Sequence, residues 1–122
     1  MTYDYIKFTN DYGILDIETN YLIGEELKDG ENERYDLFKK SDIKEPIYNH
    51  CIKAIKKACN FGENGLPKIG SGDWNDGFSN VGTKGKGESV WLGFFLYDVL
   101  IKFSKICEYK NDEETKKYFI EK

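Results

Sequence analysis

Arginine and histidine are nearly absent from this chain. Arg34 is the only arginine among 18 basic residues, and His50 is the only histidine in 122 residues. Oxyanions are usually held by arginine forks, histidines or helix N-termini, so these residues alone do not promise a complete phosphate clamp. Cysteine is scarce too. Cys51, Cys59 and Cys107 make an odd set without a C-x-x-C pair, which argues against a zinc site and against a disulfide framework. The longest apolar run, Val90 to Tyr97, falls well short of the ~20 residues that a membrane-spanning helix needs. The N-terminal "MTYDYIKFTNDY" lacks a basic n-region and an apolar h-region, so no signal peptide is expected and a reducing cytoplasm is the expected location. A net charge of −4 leaves no basic footprint, so neither nucleic acid nor a membrane surface is expected as a partner.

What is present reads as one globular unit of ordinary domain size, 39% hydrophobic and 33% charged. Three helices are legible. "IYNHCIKAIKKACN" sets Ile47, Cys51, Ile55 and Ala58 on one stripe with Lys53, Lys56 and Lys57 opposite, and Pro46 suits the first turn; a helix over Pro46 to Cys59 is predicted. "ESVWLGFFLYDVLIKFSKICEY", Glu88 to Tyr109, is apolar nearly all round and predicts a helix buried on most faces. "NDEETKKYFIEK" opens with Asn111 as N-cap and Glu114 three places on, a capping-box pattern. "YDYIKF" reads as the last turns of a further helix. The polar stretch Gly24 to Lys44 reads as a surface excursion, and no strand alternation stands out.

Most of the twelve glycines lie in one segment, Gly62 to Gly87, which predicts a long irregular loop of the kind that carries function. Inside it stands "GSGDWNDG". Familiar loop motifs fail there. "GTKGKGES" puts Glu88 where a Walker A loop needs lysine. An EF-hand counted from Asp73 meets Gly77 at position five and Lys84 at position twelve. "GSGDWN" lacks the third glycine of a dinucleotide fingerprint. A surface loop of Asx-turns accounts for the aspartates but not for an indole among glycines. Trp74 offers a flat apolar plate for the C–H face of a sugar ring, while Asp73, Asn75 and Asp76 supply groups that its hydroxyls seek. A carboxylic acid beside that plate can protonate a glycosidic oxygen.

The run "GLPKIGSGDWNDGFSNVGTKGKGESVWLGFFLYDVL" closely resembles the catalytic loop and following helix of glycoside hydrolase family 94. That family includes cellobiose and cellodextrin phosphorylases and the phosphorylase-like module of cyclic β-1,2-glucan synthases. The similarity extends through "YIKFTNDYGILDIETNYL" and "IYNHCIKAIKKACNFGENG", nearly the whole chain; Lys68 and Phe78 depart from the usual pattern. The resemblance implies a mainly α fold, with residues 1–122 as part of an (α/α)6 catalytic barrel. It implies inverting phosphorolysis of β-linked oligosaccharides to an α-sugar 1-phosphate, with inorganic phosphate as co-substrate and no further cofactor or metal.

An inverting hydrolase needs both an acid and a base. Phosphate is already an anionic nucleophile, so one acid suffices. Carried over by position, the acid falls on Asp76 and a residue lining the −1 sugar subsite on Trp74. Asp73 and Asn75 are expected to hold the loop through backbone hydrogen bonds. Glu88 is expected to favour the dipole of the helix that it opens, and His50 to serve packing. Family members are much longer, so the phosphate-binding groups are expected in other segments. The expected partners are the remaining parts of the barrel or a second copy. The alternative is a catalytically inactive saccharide-binding or assembly fragment.

Overall fold

The computed structural model describes residues 1–26, 28, 34–70 and 81–122. Helix α1 (Thr2–Thr9) ends at Asn10, whose left-handed backbone (φ 56°) lets its N–H reach the Ile6 carbonyl at 2.8 Å. A 3-10 turn, Tyr12–Asp16, then buries Leu15 completely. It leads into strand β1 (Glu18–Ile23), which pairs antiparallel with β2 (Lys39–Pro46). The remaining helices are α2 (Ile47–Ala58), α3 (Val90–Tyr109) and α4 (Glu113–Ile120). Among the described residues no helix is long and apolar enough to cross a membrane.

The two-stranded sheet corrects the reading in which no strand stands out, while the described residues from Gly24 to Lys44 are nearly all exposed, as a surface excursion should be. Its register runs Glu18↔Pro46, Thr19↔Glu45 and Asn20↔Lys44, then resumes at Leu22↔Lys40 after an irregularity. Side chains stitch that bulge. Asn20 donates to the Ser41 carbonyl (2.7 Å), and the buried Ser41 hydroxyl accepts from the Ile43 N–H (3.0 Å). The strand "KKSDIKEP" escapes pattern reading because Ser41 is its one fully buried residue. Period-two alternation appears only where one face is buried.

On α2 the buried stripe is Tyr48, Cys51, Ile52 and Ile55 rather than Ile47, Cys51, Ile55 and Ala58; Ala58 is exposed. The stripe turns toward Tyr48 because its ring stacks on Phe103 (centroids 5.7 Å apart) while its hydroxyl donates to Asp112 at 2.9 Å. Lys53, Lys56 and Lys57 face solvent as expected.

Helix α3 starts behind Ser89, whose hydroxyl accepts from the Leu92 N–H at 3.1 Å, an N-cap. One face is buried through Leu96, Leu100, Phe103, Ile106 and Cys107. The opposite face is not: Trp91, Phe94, Phe95 and Tyr97 are half or more exposed, Phe94 by 73%. The prediction of burial on most faces therefore holds for one face only. Exposed aromatics on this scale mark a surface meant for contact. Beside it, α2, α3 and Pro67 enclose an apolar groove of about 330 Å³.

The turn from α3 to α4 shifts the expected cap by one residue. Asn111 takes the left-handed backbone (φ 56°) that turns the chain. Asp112 is the N-cap, accepting from the Thr115 N–H at 3.0 Å. Helix α4 then lays Phe119 edge-on against Phe103. All three cysteines are free thiols.

Asp112 serves two partners, the α4 amide and the Tyr48 hydroxyl. Replacing a capping Asp by Ala typically costs ~1 kcal/mol, within a range of about 0.5–2, and here it also removes a hydrogen bond from the buried Tyr48. Asp112→Ala is expected toward the upper end of that range in urea unfolding. Tyr48→Phe in the Asp112→Ala background should cost less than Tyr48→Phe alone, because the lost bond is shared. Strictly additive losses would show that the bridge contributes nothing.

Candidate functional site

Residues 67–69 pair with residues 87–89 as a short stem, beside a turn in which residues 61–67 fold back on themselves. Residue pairs Phe61↔Pro67 and Lys68↔Glu88 form antiparallel bridges. The Ile69 N–H donates to the Gly87 carbonyl (2.8 Å) and the Ser89 N–H to the Pro67 carbonyl (2.9 Å). Within the first arm the Lys68 N–H reaches the Asn60 carbonyl and the Gly62 N–H the Leu66 carbonyl, both at 2.9 Å. No described residue from Gly62 to Gly87 lies in a helix or named strand, as expected, yet the segment is paired rather than merely irregular.

Two glycines make this pairing possible. A Cβ on Gly82 would overlap the Gly70 backbone, and one on Gly62 would overlap the Glu88 carboxyl group. No side chain fits at Gly82, since backbone cannot move aside as a flexible side chain can.

Glu88 is the charged centre of the stem, which corrects its expected role at the helix dipole. It precedes the Ser89 cap, and its carboxylate turns to the opposite arm. Oε1 accepts from the Asn64 N–H (3.2 Å) and side-chain amide (3.0 Å), and Oε2 from the Leu66 N–H (3.0 Å). A polar recess of about 450 Å³ lies here, lined by Glu63, Asn64, Lys68, Lys86 and Glu88 among others. Desolvation tends to raise the Glu88 pKa, but the donors from Leu66 and Asn64 outweigh it and hold the carboxyl below its usual range.

Asp73, Trp74, Asn75 and Asp76 all fall within residues 71–80 and lie outside the described residues. Gly70 and Val81 are the described residues on either side, so the stem marks where the motif enters and leaves. His50 lies elsewhere, against the sheet. Its ring stacks on Tyr21 (3.9 Å) and Nε2 is 3.1 Å from the Thr19 carbonyl. Tyr21 in turn donates to Glu45, which pairs with Lys53 at 2.8 Å. This cluster braces β1 and β2 on α2, in keeping with the packing role expected of His50. Among the described residues no group of His, Cys, Asp and Glu could hold a metal ion. Sequence reading missed the stem because its pairing joins segments some twenty residues apart through backbone groups.

A lowered folded-state pKa contributes stability that is present above the ordinary carboxylate value, about 4.3, and is lost as pH falls through the lowered value. The Asn64 and Leu66 amide resonances of Glu88's partners should therefore titrate with a midpoint below that ordinary value. An ¹H–¹⁵N titration with its midpoint at or above the ordinary value would contradict the clamp.

Comparison with known proteins bears on the motif that this stem carries. The catalytic-domain profile of the glycosyl hydrolase 94 superfamily matches residues 1–122. The chain is 37% identical over 113 residues to the cyclic beta-(1,2)-glucan synthase NdvB of Rhizobium meliloti, covering 89% of this chain and 4% of that protein. It is 29% identical over 104 residues to the solabiose phosphorylase of Paenibacillus borealis, covering 84% of this chain and 11% of that one. The 3-O-beta-D-glucopyranosyl-beta-D-glucuronide phosphorylase of the same organism is 36% identical over 78 residues, with 63% and 10% covered. The chain thus spans about a tenth or less of the length of curated relatives that it matches. Residues 1–122 belong to the glycosyl hydrolase 94 superfamily and fall within its catalytic domain.

Proposed function

We propose that this chain carries the general-acid segment of an inverting glycoside phosphorylase acting on β-linked glucosides. In this reading Asp76 protonates the departing sugar oxygen while inorganic phosphate attacks the anomeric carbon from the opposite face. The C–O glycosidic bond breaks, a C–O bond to phosphate forms with inversion, and an α-sugar 1-phosphate leaves. Trp74 stacks the sugar at the −1 subsite, and Asp73 and Asn75 hold the loop. The observation that carries the reading is "GDWNDG…GKGESVWLG", set on a paired stem in a chain of this superfamily. The phosphorylases among its relatives support the reaction class.

The rest of the site is proposed to lie in other segments of an (α/α)6 barrel. The single arginine and single histidine of this chain support that division. The exposed aromatic face of α3 supports it too, since further helices of a barrel would cover that face. One positioned acid supplies about 10²–10⁴ in rate. Holding phosphate in line supplies much of the remainder through positioning and electrostatics. Residues 1–122 by themselves are therefore proposed to be inactive.

In the complete catalytic domain containing these residues, Asp76→Asn is expected to lower phosphorolysis of β-linked disaccharides at least about a hundredfold. A β-glucosyl fluoride, whose leaving group needs little protonation, should be spared most of that loss. Asp73→Asn should act through stability or loop placement. Purified residues 1–122, given several β-linked gluco-disaccharides and phosphate, should release no sugar 1-phosphate above the Asp76→Asn control. Near wild-type turnover by Asp76→Asn would overturn the assignment of the acid. Turnover by the isolated wild-type chain would overturn the division of the site.

A further inference from the structure

Helix α3 carries two apolar stripes of the same spacing. Leu96, Leu100, Phe103 and Cys107 follow one another at steps of four, three and four residues, and all are buried. Val90, Phe94, Tyr97 and Ile101 repeat those steps, about 120° away around the helix. This second stripe is open: Phe94 and Tyr97 are 73% and 67% exposed, and even Ile101 is 37% exposed. Alternating steps of three and four make the seam along which one helix packs on another. The next place in the spacing, Ser104, is buried, so the open seam ends at Ile101 after about three turns.

The order of residues on the seam says what fits it. Read from either end, it runs aliphatic, aromatic, aromatic, aliphatic. A second α3 laid antiparallel sets Val90 against the partner's Ile101 and Phe94 against the partner's Tyr97, with each pair made twice about a two-fold axis. A two-fold interface has to be self-complementary in this way. The helix dipoles then run opposed, which favours the arrangement.

Charge and area agree with a second copy. On one flank of the seam Lys102 pairs with Asp98 at 2.7 Å and lies 3.8 Å from Asp4, so that flank brings no uncompensated charge. Beside it Trp91 stacks on Phe95 (centroids 5.6 Å apart), both at least half exposed. An aromatic side chain covers about 150–250 Å² when fully buried, so the exposed parts of Trp91, Phe94, Phe95 and Tyr97 offer roughly 400–600 Å² per copy. Two copies, with Val90 and Ile101 included, bury about 1,000 Å² or more, the size that a specific interface needs.

We infer that residues 1–122 associate as a two-fold dimer through this seam, α3 lying antiparallel to the partner's α3. The inference goes beyond the proposed chemistry and does not depend on it. In the barrel proposed above a neighbouring helix would take the same seam; between two copies of this chain the second α3 takes it.

Sedimentation equilibrium tests this with two substitutions of exposed residues, Phe94→Glu and Tyr97→Lys. The wild-type chain should sediment at twice 14.2 kDa from micromolar concentrations upward. In each variant alone the dissociation constant should rise at least about tenfold. Far-UV circular dichroism should not change, because both side chains stand outside the core. An equimolar mixture of the two variants should regain the dimer. There the introduced carboxylate faces the introduced ammonium, while Tyr97 of the first variant faces Phe94 of the second.

A wild type that is monomeric at every concentration would overturn the inference and leave the seam to a helix from another segment of the domain. A dimer that survives both substitutions would have its interface elsewhere, and open-ended assemblies would contradict the two-fold pairing. Monomeric variants that stay apart when mixed would rule out the antiparallel register.

Discussion

Burial of one face of α3 is the constraint on which the described structure depends. Phe103 stacks on Tyr48 of α2 and meets Phe119 of α4 edge-on, and Ile6 of α1 and Leu15 of the 3-10 turn join the same cluster. Truncating such a phenylalanine typically costs about 3–5 kcal/mol. The surface ion pairs, such as Lys102 with Asp98 and Lys110 with Asp16, belong to a class worth about 0–1 kcal/mol each. Packing on α3 therefore decides where the other helices sit, and charge pairs adjust their edges. Asp112 couples the two scales, because one carboxylate caps α4 and holds the Tyr48 hydroxyl against the core.

The same helix reaches the candidate site at its other end. Its buried face runs from Leu96 to Cys107, and its N-terminal part, from Val90 to Tyr97, shows aromatic residues to solvent. The stem is joined to this exposed end through Glu88 and Ser89. The stem thus continues directly from the capped N-terminus of α3. The face of α3 that the described residues leave open lies on the half that adjoins the stem.

Much of this was legible in the sequence where periodicity reports burial. The spans of α2 and α3 follow the apolar spacing closely. Their faces were less legible: Tyr48 displaced Ile47 from the stripe because an aromatic ring with a polar tip can satisfy core and cap together. The open face of α3 reads as buried because composition records apolarity, not what covers it. Strand β2 and the stem were hidden for a common reason, since both are held by backbone pairing between distant segments rather than by side-chain patterning. Glu88 looked like a helix-end carboxylate because its partners, Asn64 and Leu66, are more than twenty positions away. The motif itself was legible as an indole between carboxylates among glycines, and the superfamily match agrees with the family that the motif resembles.

The central claim is that Asp76 gives its proton to the leaving oxygen. The most direct measurement follows phosphorolysis of aryl β-glucosides of graded leaving-group acidity by the complete catalytic domain, with and without Asp76→Asn. A proton donor removes charge from the departing oxygen, so the wild-type rate should depend only weakly on leaving-group pKa. Without the acid that charge stays on the oxygen, and the rate should fall steeply as the leaving group becomes more basic. Equal dependence in the two proteins would contradict the claim.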